Sequence, residues 1–227
     1  MKRYYIFALR SRLFAKMLFN RSEELKMNSH AIAELVFQLG RIVSGKGHAD
    51  GLTDAQWAVL RYFSQANRFS QTPSAFAAFH STTRGTASQT IKNLIKQGYL
   101  NRVRSVDDKR SVRIVLTDKA WGTLKNDPIE SLVRAAKCLP KNVQADLANA
   151  LQQMLDHVAQ ESDKPHFGTC TSCHYLERDS CTHAGQSTYE CRLTKQALLL
   201  EELNEVCINF LPSKPLLLAK DPVTRSK

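Results

Sequence analysis

Two capping sequences, a hydroxyl-rich turn and a helix-ending glycine follow one another between residues 53 and 98, and two short alternating runs come directly after. That order restricts the fold more than any other feature of the chain. Thr53-Asp54-Ala55-Gln56 has the form of a capping box, in which the threonine hydroxyl and the glutamine side chain satisfy each other's free amides. It predicts a helix with Trp57, Leu60 and Phe63 on one face. Thr72-Pro73 predicts a second start, because proline at the first helical position has no amide to lose. This helix runs through His80 and is expected to bury Phe76, Ala77 and Phe79. The turn Ser81-Thr82-Thr83 opens a third helix over 84–97, closed by Gly98, with Ala87, Ile91, Leu94 and Ile95 as its core face. The runs Leu100–Arg104 and Val112–Leu116, around a polar loop at 105–111, read as a β-hairpin. Helix, helix, turn, helix and hairpin is the order of a winged helix-turn-helix, a mainly α fold with a small β-wing.

Helical periodicity continues on both sides of this unit. Ile32, Leu35, Val36, Leu39 and Val43 give an amphipathic helix over 29–43, and three more helices are expected at 118–124, 129–136 and 141–159. The last carries a stripe of Leu147, Leu151, Leu155 and Val158, with Met154 beside it. Long helices flanking a small module close a homodimer more often than they fill a monomer's core. The expected organisation is a loose basic extension at 1–27, a winged-helix domain with dimerisation helices at 28–162, a cysteine-rich region at 163–211 and a tail at 212–227.

Charge suggests the partner. The chain holds 32 Lys and Arg against 21 Asp and Glu, a net +11, and residues 52–122 alone hold eleven basic and four acidic residues. An excess of this size in a small unit points to a polyanion, most simply double-stranded DNA. The third helix would turn Arg84, Thr86, Ser88, Gln89 and Lys92 outward, residue types that read base edges in the major groove. Ser81, Thr82 and Thr83, at its start, suit phosphate oxygens. Arg110, at the hairpin tip, is expected to enter the minor groove, held in pose by Asp108. No apolar run approaches the roughly 18–20 residues of a membrane span. The apolar stretch near the N-terminus is broken by Arg10 and Arg12, too short for a signal-peptide core, so the expectation is a cytoplasmic protein with no membrane partner.

With these residues assembled, the chain resembles the MarR family of bacterial transcription regulators. The resemblance rests on Leu52-Thr53-Asp54-Ala55-Gln56-Trp57-Ala58-Val59-Leu60, on the LIKQGYL stretch at 94–100, and on Asp108-Lys109-Arg110-Ser111 followed by Leu116-Thr117-Asp118. It covers roughly residues 29–160. It implies a homodimer on a pseudo-palindromic operator, usually a repressor, and a signal that changes the spacing of two reading heads. The chain departs from the family at Phe76-Ala77-Ala78-Phe79, where a Leu-Ala pair is usual.

Five of the six cysteines fall in the last quarter of the chain: Cys170, Cys173, Cys181, Cys191 and Cys207. A Cys-x-x-Cys turn presents two thiolates to one ion, and two more close a tetrahedral site. The expected ligands are Cys170, Cys173, Cys191 and Cys207, with Cys181 as the substitute for one of them. A single tight knuckle with gaps of 7, 9 and 15 residues favours an iron–sulfur cluster over zinc. The region resembles cysteine-rich tails on some MarR-like proteins, where Cys-x-x-Cys precedes a Cys-x-Leu-Thr word, here Cys191-Arg192-Leu193-Thr194. His166, His174 and His183 are expected at the surface, and Cys138, alone on a helix, in the core.

Three functions compete. The leading one is a DNA-binding regulator whose cysteine-ligated centre senses redox state or iron. A second keeps the regulator but makes zinc structural and places a small-molecule effector at the dimer interface. A third, a redox enzyme using Cys170 and Cys173 as a dithiol, lacks both a βαβ context and a nucleophile–base pair; the chain is therefore read as no enzyme.

Overall fold

A computed structural model describes residues 28–44, 51–104, 112–162, 164–179 and 188–213. The chain divides into two compact units, 1–45 and 46–227. In the first, helix α1 (Ser29–Ser44) is amphipathic, yet Leu35, Phe37 and Leu39 are each about half exposed or more, and only Val43 is buried.

The second unit begins with helices α2 (Asp54–Gln65), α3 (Pro73–Phe79) and α4 (Arg84–Lys96). Each starts on a threonine whose hydroxyl accepts an amide of the first turn: Thr53 from Gln56, Thr72 from Ala75 and Thr83 from Thr86. The expected capping box is complete, with the Thr53 amide donating to Gln56 Oε1 at 2.9 Å. Gly98 ends α4 at φ +76°, a left-handed conformation that a side chain would strain.

Strands β1 (Leu100–Arg104) and β2 (Val112–Leu116) pair antiparallel, Leu100 opposite Leu116 and Arg104 opposite Val112. Alternation sends Leu100 and Ile114 into the core, where Trp57, Leu60, Ile91 and Leu94 are also fully buried. Ile114 donates its amide to Gln71 O at 2.8 Å, so the wing is sewn to the α2–α3 loop as well as to its own partner strand. Thr117 then caps helix α5 (Asp118–Leu124) and donates its hydroxyl to Gly98 O at 2.8 Å, joining hairpin exit to helix end. Tyr62 sits edge-on to Phe63 and Phe76 and donates to Ser70 O at 2.9 Å. Phe79, expected in the core, is 36% exposed. It lies at the end of α3, where its ring leans on Tyr62 and on Phe167 of the cysteine region instead of entering the helix packing.

Helices α6 (Glu130–Lys137) and α7 (Lys141–Glu161) follow. The stripe on α7 does not fill a core within this chain: Leu147, Met154, Leu155 and Val158 remain exposed, Leu155 by 65%. Cys138 is exposed as well, contrary to expectation. It lies one residue past α6, at its C-cap, and its thiol donates to Arg134 O.

The cysteine region is built from short antiparallel pairings. Strand β3 (Gly168–Thr169) pairs with β7 (Val206–Cys207), and β4 (Leu176–Asp179), β5 (Thr188–Cys191) and β6 (Gln196–Leu198) form a three-stranded sheet in that order. Phe210 packs against Gly168, where an added Cβ would meet the ring at 2.6 Å. This region docks on the α2–α3 loop. Val206 bridges Ala66, the Asn67 amide donates to Val206 O at 3.0 Å, and Arg68 pairs with Glu202.

Candidate nucleic-acid interface and thiol cluster

The helix-turn-helix turn is held by the residues that the sequence singles out. Ser81 adopts φ +52°, which bends the chain sharply enough for Thr82 to donate to Ala77 O at 3.0 Å. The Thr83 hydroxyl is already engaged by the Thr86 amide and the Thr86 hydroxyl, so its role is to start α4. Arg84, Thr86, Gln89 and Lys92 are exposed along one side of α4 and Ser88 is half-buried, while Ala87, Ile91 and Leu94 face inward. Gly85 meets only the Thr83 hydroxyl, at 3.8 Å from where a Cβ would stand, leaving that flank open to a close approach. Lys92, Lys96 and Arg102 line a groove of about 320 Å³ between α4 and β1, a run of positive charge beside the outward face.

Not every basic residue of the unit belongs to that surface. Arg61 Nε donates to Asp127 Oδ2 at 2.7 Å, Arg68 is taken by Glu202, and Lys119 Nζ donates to Gln97 O at 2.7 Å. These three brace the fold. Asp108 and Arg110 lie outside the described residues, as do the basic extension at 1–27 and Cys181.

The structure brings together the four cysteines preferred as ligands. Cys170 and Cys173 flank a single 3-10 turn, with the Cys173 amide donating to Cys170 O at 3.0 Å. Cys191 ends β5 and packs against the small cluster of Cys170, Leu198 and Leu203. Cys207 arrives on β7, opposite Gly168. Each is a free thiol. Burial pushes the Cys170 thiol up to about 12, helped by the negative charge that Cys207, Cys173, Cys191 and Glu202 would place beside it. Burial raises Cys207 too, with Cys173 and Cys191 adding to the shift and the nearby polar groups of the Asn67 side chain and the Asn209 backbone opposing it. Among the described residues, no three Cys, His, Asp or Glu side chains are closed to metal-ligand spacing. The thiols therefore share a neighbourhood without being drawn onto one point. His174 is exposed, and His183 lies outside the described residues. His166, expected at the surface, is instead partly buried with Nδ1 3.6 Å from Asp156 Oδ1. Asp156 lies on α7 and, with Gln152, Phe167 and Phe210, lines an open cavity of about 550 Å³.

Residues that sequence reasoning missed are Asn67 and Ser70. Both are fully buried polar side chains in the α2–α3 loop, on the route between β7 and α3. Nothing in their local pattern announces a pairing partner 138 residues away.

Residues 50–111 match the sequence model of the MarR family, which spans the helix-turn-helix and β1 and stops short of β2. Among solved structures, the chain is similar to CouR from Rhodococcus jostii RHA1 bound to p-coumaroyl-CoA, at 19% identity and TM-score 0.47, covering 54% of this chain and 90% of that one. It is similar also to a MarR transcriptional regulator from Methanosarcina mazei Go1, at 22% identity and TM-score 0.45, covering 58% and 95%. The transcriptional regulator SlyA gives 22% and 0.45, covering 58% and 94%. No curated protein matches the chain.

Proposed function

We propose that the protein is a sequence-specific, DNA-binding transcription regulator of the MarR type, acting as a homodimer, usually to repress. The observation that carries this reading is α4: capped at its start by Thr83, buried on one side, and presenting Arg84, Thr86, Gln89 and Lys92 to solvent on the other. A helix so exposed can enter a major groove, with the positive groove beside it against the phosphates. The unpartnered apolar stripe on α7 supports the homodimer, since 65% exposure of Leu155 is costly in a lone chain.

The second half of the reading is that Cys170, Cys173, Cys191 and Cys207 hold a metal centre, an iron–sulfur cluster in preference to zinc. The donor set suits it: four thiols from three separate segments share one neighbourhood, and charge on the others would raise the cost of ionising Cys170 and Cys207 unless a cation shared it. Such a cluster would supply sensitivity to iron or oxygen. Zinc at the same thiols would only brace them. In that variant the signal is a small-molecule effector at the dimer interface.

The test is purification without oxygen, followed by metal and sulfide analysis and selection of a binding site from random duplex DNA. The reading requires enrichment of a two-fold symmetric sequence whose affinity changes when the protein is exposed to air or to a chelator. Recovery of no preferred sequence would remove the regulator; a constant affinity would remove the sensor. Turnover of a disulfide substrate would favour the dithiol enzyme.

A further inference from the structure

Asn67 is wholly buried and its side chain is divided between two neighbours. On one side its Oδ1 accepts both the amide and the hydroxyl of Ser70, at 3.1 and 2.8 Å. On the other its Nδ2 is buried without a hydrogen-bond partner, while the residue's own backbone amide holds Val206, next to Cys207. A buried amide donor without a partner forfeits its hydration with nothing in return, so its retention calls for an explanation. A neutral thiol is a poor acceptor. A sulfur ligated to a cation bears negative charge and is a good one, and donors to ligand atoms fix their orientation and tune the ion.

We propose that Asn67 is the amide donor to the sulfur centre: Nδ2 hydrogen-bonds the ligated sulfur of Cys207, while Oδ1 keeps hold of Ser70. The inference rests on the metal reading of the four cysteines given above. It makes Asn67 a positioning residue rather than a ligand. It also joins the centre to the reading unit through covalently short steps. The Asn67 amide holds Val206, the residue before Cys207, at 3.0 Å. Ser70 Oγ accepts the Ile208 amide, the residue after it, at 2.8 Å. The Ser70 carbonyl takes the hydroxyl of Tyr62 and the amide of Thr72, the cap of α3, and the Gln71 carbonyl next to it takes Ile114 of the wing. A shift of Cys207 toward a bound ion therefore pulls on the same loop that seats α3 and β2.

The experiment is a spectroscopic titration of the full-length protein with Co²⁺ under anaerobic, reducing conditions, comparing wild type with Asn67→Ala and Ser70→Ala. Cobalt bound by thiolates shows a sulfur-to-metal charge-transfer band, and a donated hydrogen bond stabilises the sulfur electrons and raises its energy. Asn67→Ala is expected to move the band to longer wavelength and to weaken Co²⁺ binding about 10–100-fold. Ser70→Ala, which disturbs the loop but leaves Nδ2 in place, should leave the band where it is in wild type. Should Asn67→Ala fail to fold, Asn67→Ser carries the same comparison, since its hydroxyl can still accept from Ser70 but is too short to reach the sulfur. A folded variant with the wild-type band and affinity overturns the proposal, as does an equal band shift in Ser70→Ala. Absence of any thiolate–cobalt band in wild type, together with no iron, sulfide or zinc in the protein purified without oxygen, is a different result: it overturns the metal reading itself, and this inference with it.

Discussion

Arg68 Nη1 lies 3.0 Å from Glu202 Oε2, and this ion pair joins the α2–α3 loop of the winged helix to the 3-10 turn ahead of β7. Both side chains are largely buried, at 21% and 11% exposure. Arg68 also donates to Ala197 O, and Glu202 also accepts the Leu199 amide at 2.9 Å. Removing either partner strands a charge in low dielectric.

Glu202→Gln and Arg68→Met are each expected to destabilise the protein by about 3 kcal/mol, with the double variant less costly than the sum of the two. Urea unfolding of all four proteins gives the coupling energy. Strict additivity would mean that the pair does not hold the cysteine region in place.

On the reading face, Lys92→Ala should weaken binding to every sequence alike and reduce the slope of log affinity against log salt by about 0.9, the loss of one phosphate contact. Gln89→Ala should cost about 1–3 kcal/mol on the selected site and little on random DNA. Fluorescence anisotropy across a salt series separates these outcomes, and an unchanged slope for Lys92→Ala would move that lysine off the phosphates.

The imidazole of His80 is held below its ordinary pKa, first by partial desolvation where its ring packs beside Phe76 and Phe79 and second by the charge of Arg61. The unfolded chain therefore takes up this proton first as pH falls below about 6.5. Stability is full above that value, declines as pH drops toward the folded pKa, and levels off beneath it. Thermal melts between pH 7.5 and 4.5 should show a shallower decline for His80→Asn than for wild type.

Thr117 caps α5 and shares its one hydroxyl proton between Gly98 O and Tyr99 O, in the turn from α4 to β1. Thr117→Ala should lose about 1–2 kcal/mol, and Thr117→Ser should recover most of it. Chemical unfolding measures both, and failure of serine to rescue would assign the role to the methyl group.

If α7 closes a dimer, Leu155→Glu should yield a monomer in sedimentation at concentrations where wild type sediments as a dimer, with the helical circular dichroism of each chain retained. A dimer that survives this change would place the partner elsewhere.

Much of the winged helix was legible because its signals are local. Thr53, Thr72 and Gly98 act on amides or carbonyls within four residues, and the strands at Leu100 and Val112 pair across a short loop. The cysteine region offered no such signal. Its strands are two to four residues long, too short for alternation to register, and Gly168 finds Cys207 across nearly forty residues. Arg61 and Arg68 look like DNA-facing charges in a basic stretch, and only the fold reveals Asp127 and Glu202 beside them. The grouping of four cysteines could be anticipated by their chemistry; Asn67, which touches one of them, could not.

The bond from Ile208 to Ser70 spans 138 residues, whereas the contacts that close the helix-turn-helix and wing are short in sequence. Loop closure over the longer distance comes late. On a ribosome, the α2-to-β2 unit can be complete while the last cysteine is still unsynthesised. The segment that supplies Glu202, Val206 and Ile208 is thus made last, and it meets an α2–α3 loop whose Arg68, Asn67 and Ser70 have waited for these partners through most of synthesis.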